Sequence, residues 1–309
     1  MKLFACEASG VPIAGFSDLS TIFVTSHFVS PLVLACIRTV LFVYSFTTII
    51  VSYAWLSNNT ATVGLKDVNI GSYKVQQSEA TIGQSFSFFT YFTFWSLGFY
   101  FLVSAVHTFM FAFMKRTWLH DWPKFLQIMH SLYYSCITCM PFLVNIVFGG
   151  TMNSGWPFGR FEQWMNPSVH GLNSMFAVVE ILLSATEAPP VLHLSVILLI
   201  MSVYLGLAYL TRYTQGLYVY EWLKPAHGIA SIILHVLGYA AGRIAIFFLA
   251  SGAIRLRNIL ARRLSEGKEV GSIQEKGMKL DDACDTWSST VSVSRPESAL
   301  TGGLWSSRV

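Results

Sequence analysis

The chain has 309 residues, of which 53% are hydrophobic and 15% aromatic but only 12% charged, with a formal net charge of +4. An ordinary soluble domain carries about 25% charged residues, so this composition excludes a typical water-soluble enzyme and points to a polytopic membrane protein. Several uncharged runs, at 80–114, 125–159, 188–211 and from 225 past Arg243, reach or exceed the roughly 20 apolar residues that span a bilayer.

Runs this long and continuous argue for helices, because barrel strands show weaker alternating segments of about 10 residues. With two shorter candidates at 38–55 and 169–185, the expected fold is all-α. It is a bundle of about six transmembrane helices over 31–260, with an N-terminal segment 1–30 and a disordered polar tail over 261–309.

Residues 1–30 are mixed and weakly apolar and lack the basic region, compact apolar core and cleavage site of a secretory signal. The first span is therefore expected to direct insertion, with Arg38 snorkelling to the headgroups at its start. The polar loop 57–79 carries Asn58-Asn59-Thr60, an N-glycosylation acceptor pattern that fits a lumenal or extracellular face. The second span contains Tyr91-Phe92-Thr93-Phe94-Trp95-Ser96 and ends at Lys115-Arg116. Those charges and Lys124 make the next loop basic and so cytosolic.

A third span is followed by the loop 149–166, rich in Gly, Trp and Pro, which returns to the lumenal side. There the run Trp164-Met165-Asn166-Pro167-Ser168-Val169-His170-Gly171-Leu172-Asn173 opens the fourth span, with Glu180 deeper in it. Polar side chains are expensive in lipid and usually have a task. Thr93 and His170 both fall within a few turns of the same face. A hydroxyl within reach of an imidazole is the minimum arrangement for an activated nucleophile.

The competing structural readings are a threonine bonded to its own backbone or a neighbouring helix and a histidine that caps its helix. Asn166 and Asn173 are candidates to donate to an oxyanion or orient the imidazole, against plain cap or interhelical roles. Glu180 lies about 15 Å beyond His170 along the axis, too far to orient it, and is expected to pair with Arg243 of the sixth span.

Glu187-Ala188-Pro189-Pro190 forms a stiff cytosolic turn before the fifth span, 191–211. The aromatics of Gly216-Leu217-Tyr218-Val219-Tyr220-Glu221-Trp222 suit an interfacial belt. The sixth span, 226–254, precedes Arg255, Arg257, Arg262, Arg263 and Lys268, a basic cluster expected to stay cytosolic against anionic lipid. Both termini are then cytosolic. From about Ser265 the chain is polar and expected to be disordered. The five cysteines, Cys6, Cys36, Cys136, Cys139 and Cys284, are scattered and expected to be free thiols.

Phe92-Thr93-Phe94-Trp95, Trp164-Met165-Asn166 with His170 and Glu180 following, and Gly216-Leu217-Tyr218-Val219-Tyr220 together resemble the androgen-induced gene 1 / FAR-17a family of multi-pass membrane proteins, which has many fungal relatives. The resemblance covers about 92–223 and implies an intramembrane threonine hydrolase that cleaves lipid esters, including fatty acid esters of hydroxy fatty acids. The family's nucleophile falls on Thr93 and its histidine on His170. Pro167, Gly171 and Glu221 depart from the family pattern.

The implied partners are membrane lipids and a lipid ester, with no nucleic acid, in the endoplasmic reticulum, another endomembrane or the plasma membrane. No metal or organic cofactor is expected, since no clustered ligand motif occurs. A haem-bearing electron-transfer protein is a competing class because His107, His130, His170, His193, His227 and His235 lie in or beside spans, but no span holds two at the spacing of stacked haems. A non-enzymatic transporter or adaptor with Glu180, Arg243 and His170 along a polar path is the other, without clear inverted repeats.

Overall fold

The computed structural model describes residues 21–60, 68–70, 73–75, 81–152, 160–216 and 218–291. Residues 1–20 with Cys6, most of the 57–79 loop, residues 153–159 and the tail from 292 lie outside them.

Helix α1 (Pro31–Thr60) opens on Pro31, whose missing N–H costs nothing in a first turn, while Ser30 Oγ accepts the Val33 N–H at 3.4 Å. A short antiparallel pair, β1 (Val68–Ile70) and β2 (Tyr73–Val75), with Val68 opposite Val75, comes next. Helices α2 (Thr81–Ser85), α3 (Phe89–Met114), α4 (Trp118–Asp121) and α5 (Lys124–Val147) follow, and α5 continues as a π-turn over Phe148–Met152. Helix α6 (Arg160–Asn166) passes through a second π-segment (Pro167–Leu172) into α7 (Asn173–Leu183).

Helix α8 (Leu192–Gln215) ends at Gly216, whose φ of 73° is the left-handed cap conformation that glycine adopts without strain. Helix α9 spans Ile229–Val291. The chain divides into two compact units after Asn258, and the second is helical through Val291. Disorder from 261 is thus corrected for 261–291. The reason lies in the residues: no proline occurs between Pro225 and Pro296, and Arg, Leu, Glu, Lys and Ala are good helix formers.

Five helices among the described residues are long and apolar enough to cross a membrane: Pro31–Asn58, Phe89–Met114, Lys124–Gly150, Leu192–Gln215 and Ile229–Gly267. The stretch expected as the fourth span is a helical run over 160–183, but it is not one of the five because Asn166, His170, Asn173 and Glu180 dilute its apolar character.

The distribution of side chains supports a hydrocarbon solvent. Arg38, Ser45, Thr48, Ser52, Thr108, Glu180 and Arg243 are buried, whereas Val40, Ile50, Leu199, Val203, Leu234 and Leu249 face outward. In water such an exposed surface would be an association liability. The main core joins Leu97, Tyr100 and Phe101 of α3 to Ile137, Cys139 and Met140 of α5, Ile197 of α8 and Phe247 of α9. Residues 21–30 close one end of it. Phe23 lies edge-on to His130 at 4.9 Å, and the Ala185 N–H donates to Thr25 O at 2.9 Å. Cys36, Cys136 and Cys139 are free thiols, as expected.

Helices α1 and α3 meet at Gly98, where an added Cβ would lie 3.0 Å from the Phe46 ring and 3.3 Å from Ser45 Cβ. Small residues at such crossings let helices pack by close van der Waals contact. Gly98→Leu should therefore destabilise the fold by about 1–3 kcal/mol of overpacking, read as a lower melting temperature in detergent. Gly206→Leu, at a site with nothing within 4 Å, is the control. Equal melting of the two variants would refute the tight α1–α3 contact.

Candidate functional site

A cavity of about 280 Å³ opens where α3 begins, walled by α3, α5, α8, α9 and the two π-segments. Its lining is mostly apolar, including Leu143, Val147, Leu198, Met201, Val236 and Ala240. The polar exceptions are Thr90, His170, Ser202, Tyr204, Tyr220, Trp222 and Tyr239. This pattern of apolar walls with a few placed polar groups is that of a ligand site.

His170 reaches the wall because of how its segment is wound. Pro167 removes one N–H from the helical ladder, and the helix runs in π-register over Pro167–Leu172 before returning to α at Asn173. Single π-turns within helices are frequent at functional sites. Phe148, in the other π-turn, stacks on the imidazole at 3.8 Å between ring centroids and fixes its plane.

The hydroxyl that meets this imidazole is that of Thr90, not Thr93. Thr90 Oγ1 lies 3.5 Å from His170 Nδ1, the outer limit of a hydrogen bond, and such contacts commonly tighten when substrate binds. Thr93 lies one turn deeper, is buried and does not line the cavity. Its Oγ1 donates to Thr90 O at 2.9 Å and accepts from Asn173 Nδ2 at 3.1 Å. Among the described residues no hydrogen bond joins Thr93 to His170.

Of the expected supporting residues, Asn173 therefore serves Thr93, and its Nδ2 also bonds Val169 O at 3.2 Å. Asn166 is buried a turn before His170 and makes no hydrogen bond to Thr90, Thr93 or His170.

Glu180 is far from this site and belongs to a second buried cluster. Its Oε1 and Oε2 accept from Arg38 Nη2 and Nε, the latter at 3.1 Å, and Oε1 also accepts from Tyr100 OH at 2.9 Å. Arg38 Nη1 further donates to Phe23 O at 2.8 Å and Thr108 Oγ1 at 2.6 Å. Two expectations are corrected here. Arg38 does not snorkel, because an acid and two further oxygens meet it in the interior. Glu180 does not pair with Arg243, because Arg38 occupies both its oxygens.

Arg243 is instead buried behind the wall residue Met201, donating from Nη1 to Cys139 O at 2.7 Å and from Nε to Met201 Sδ at 3.2 Å. The third basic side chain inside the bundle, Arg257, donates to the carbonyls of Ile181 and Thr186.

The residues missed in the sequence are Thr90, Phe148 and the tyrosines. Tyr204 OH donates to Ser87 O at 2.9 Å, accepts from the Phe89 N–H at 2.9 Å and lies 3.0 Å from Tyr220 OH. Tyr220 comes to this position after the Gly216 cap ends α8, and Tyr220 and Trp222 of that motif line the cavity. The signal for Thr90 was its spacing: positions 90 and 93 share a helix face. Among the described residues no cluster of His, Cys, Asp or Glu is arranged to hold a metal ion.

Compared with protein-family models, with characterised proteins and with solved structures, the chain matches none. The family resemblance therefore stands on the short motifs quoted for it.

Proposed function

We propose that the chain is an intramembrane hydrolase of lipid esters in which Thr90 is the nucleophile and His170 the general base. The observation that carries this reading is the Thr90–His170 contact on the wall of an apolar cavity. With its proton on Nε2, His170 accepts at Nδ1. It takes the Thr90 hydroxyl proton as Oγ1 attacks the ester carbonyl, then returns that proton to the departing alkoxide, leaving an acyl-threonine. Water, deprotonated by the same nitrogen, releases the acid and restores the hydroxyl. Ser202 and Tyr204 also present hydroxyls to the wall, but each already donates to a carbonyl, of Leu198 and Ser87, so stabilising the oxyanion requires one of those protons to turn towards it.

The acyl chain lies along Leu198, Met201, Val236 and Ala240, and arrives through the bilayer. In this reading the helical run 160–183 is the sixth crossing, its polar residues turned inward, and both termini are cytosolic in an endomembrane or the plasma membrane. The nucleophile implied by the family resemblance moves by one helical turn, from Thr93 to Thr90.

Labelling with a fluorophosphonate probe in membranes tests the proposal. Wild type should label, and Thr90→Ala and His170→Ala at equal abundance should not. Folded but unlabelled wild type would reject hydrolysis and favour a non-enzymatic lipid transporter or adaptor. One observation favours that second reading: among the described residues no carboxylate hydrogen-bonds His170, so the orienting acid of a triad has no counterpart.

A further inference from the structure

The three buried arginines are not equally satisfied. Arg38 has the Glu180 carboxylate, and Arg257 has two carbonyl oxygens and Asn258 Oδ1 at 2.9 Å. Arg243 is 0% exposed, has one carbonyl and one thioether, and its Nη2 is buried with no hydrogen-bond partner. No carboxylate bridges it among the described residues. A cation held inside an apolar bundle without a counter-charge is strongly disfavoured, and intramembrane charges are as a rule paired or placed on a ligand path.

Arg243 does not itself line the cavity, but side chains that touch its guanidinium do. Met201, whose sulfur touches Nε, lines it. So does Phe89, whose ring centroid is 6.0 Å from Arg243 Cζ. Tyr239 and Ala240, one turn earlier on α9, line it too, and a Cβ at Gly242 would touch Leu143 of the same wall at 3.5 Å.

We infer that the cavity binds a long-chain carboxylate whose head group pairs with Arg243 while its tail lies along the apolar wall. The Met201 side chain, flexible and unbranched, swings away from Nε, and the two carboxylate oxygens then take Nε and Nη2 as a forked pair. One cation selects a monoanion: a phosphate monoester would leave a second negative charge unneutralised in an apolar site, and a neutral lipid would leave the arginine bare. Binding does not require catalysis, although under the proposed hydrolysis the released fatty acid is such a ligand.

The test is equilibrium binding of radiolabelled oleate to the purified full chain in phosphatidylcholine nanodiscs, with oleyl alcohol as a neutral competitor of equal length. Oleate should compete about tenfold or more better than oleyl alcohol, and Arg243→Met should weaken oleate by about the same factor while leaving the alcohol unaffected. Equal competition by acid and alcohol in wild type, or oleate affinity unchanged in a folded Arg243→Met protein, would overturn the inference. If Arg243→Met fails to fold, the wild-type comparison still decides. Arg243-dependent oleate binding without esterase turnover would sink only the hydrolase reading, and Thr90-dependent turnover without acid selectivity would sink only this one.

Discussion

Glu180→Ala is expected to leave little folded protein. The carboxylate and its partner Arg38 are almost wholly inaccessible, with side-chain exposures of 2% and 1%. Removing the acid strands a guanidinium in the interior, held only by Phe23 O and Thr108 Oγ1. It also takes the acceptor from the Tyr100 hydroxyl. Breaking a buried pair from one side typically costs about 3–5 kcal/mol, against a total stability of about 5–15 kcal/mol.

The measurement is the yield of monodisperse protein after detergent extraction, together with its melting temperature. The double variant Arg38→Met, Glu180→Leu removes both charges and should recover most of the loss, since apolar replacement of a whole buried pair is often neutral. Wild-type melting by Glu180→Ala would disprove the structural role. Loss of probe labelling in a well-folded double variant would give Glu180 a part in chemistry as well.

The fold was legible where its physics is local, and much of the site was not. Length and hydropathy find α1, α3, α5, α8 and α9 because each is a long run whose lipid-facing residues are Leu, Val, Ile and Phe. They mark the helical run 160–183 less clearly, since the polar residues that give it interest also lower its hydropathy. Charge pairing was misread because partners 142 residues apart, Arg38 and Glu180, are joined only by packing. The sequence alone places Arg38 at the interface, near the start of the first span, but α1 starts about two turns earlier, at Pro31.

His170 was legible as a polar residue in an expensive place. Its hydroxyl partner was not, because choosing between Thr90 and Thr93 needs the rotation of α3 to within a fraction of a turn, and the short π-segment at 167–172 resets the direction in which His170 points. Phe148 and Tyr204 carry no distinguishing pattern in an aromatic-rich chain, so only the folded arrangement exposes their roles.

The two threonines are expected to separate sharply in turnover. If Thr90 forms the acyl-enzyme, Thr90→Ala removes the attacking oxygen and should lower ester hydrolysis on the order of 10³-fold or more, as His170→Ala should. Thr90→Ser keeps a hydroxyl at the same reach of Nδ1 and should retain activity. Thr93→Ala removes a hydrogen bond from Asn173 and one to Thr90 O. Losing such neutral bonds costs about 0.5–1.5 kcal/mol each, so turnover should fall only about tenfold, through a looser α3–α7 contact that positions Thr90. Initial rates on one long-chain ester, with variants matched for folded protein, decide the matter. The reverse order would put Thr93 in the attacking position. Because a rise of 1.5 Å per residue separates the two by about 4.5 Å along α3, that result would require α3 to slide most of a turn towards His170, breaking the Asn173–Thr93 bond as it does so.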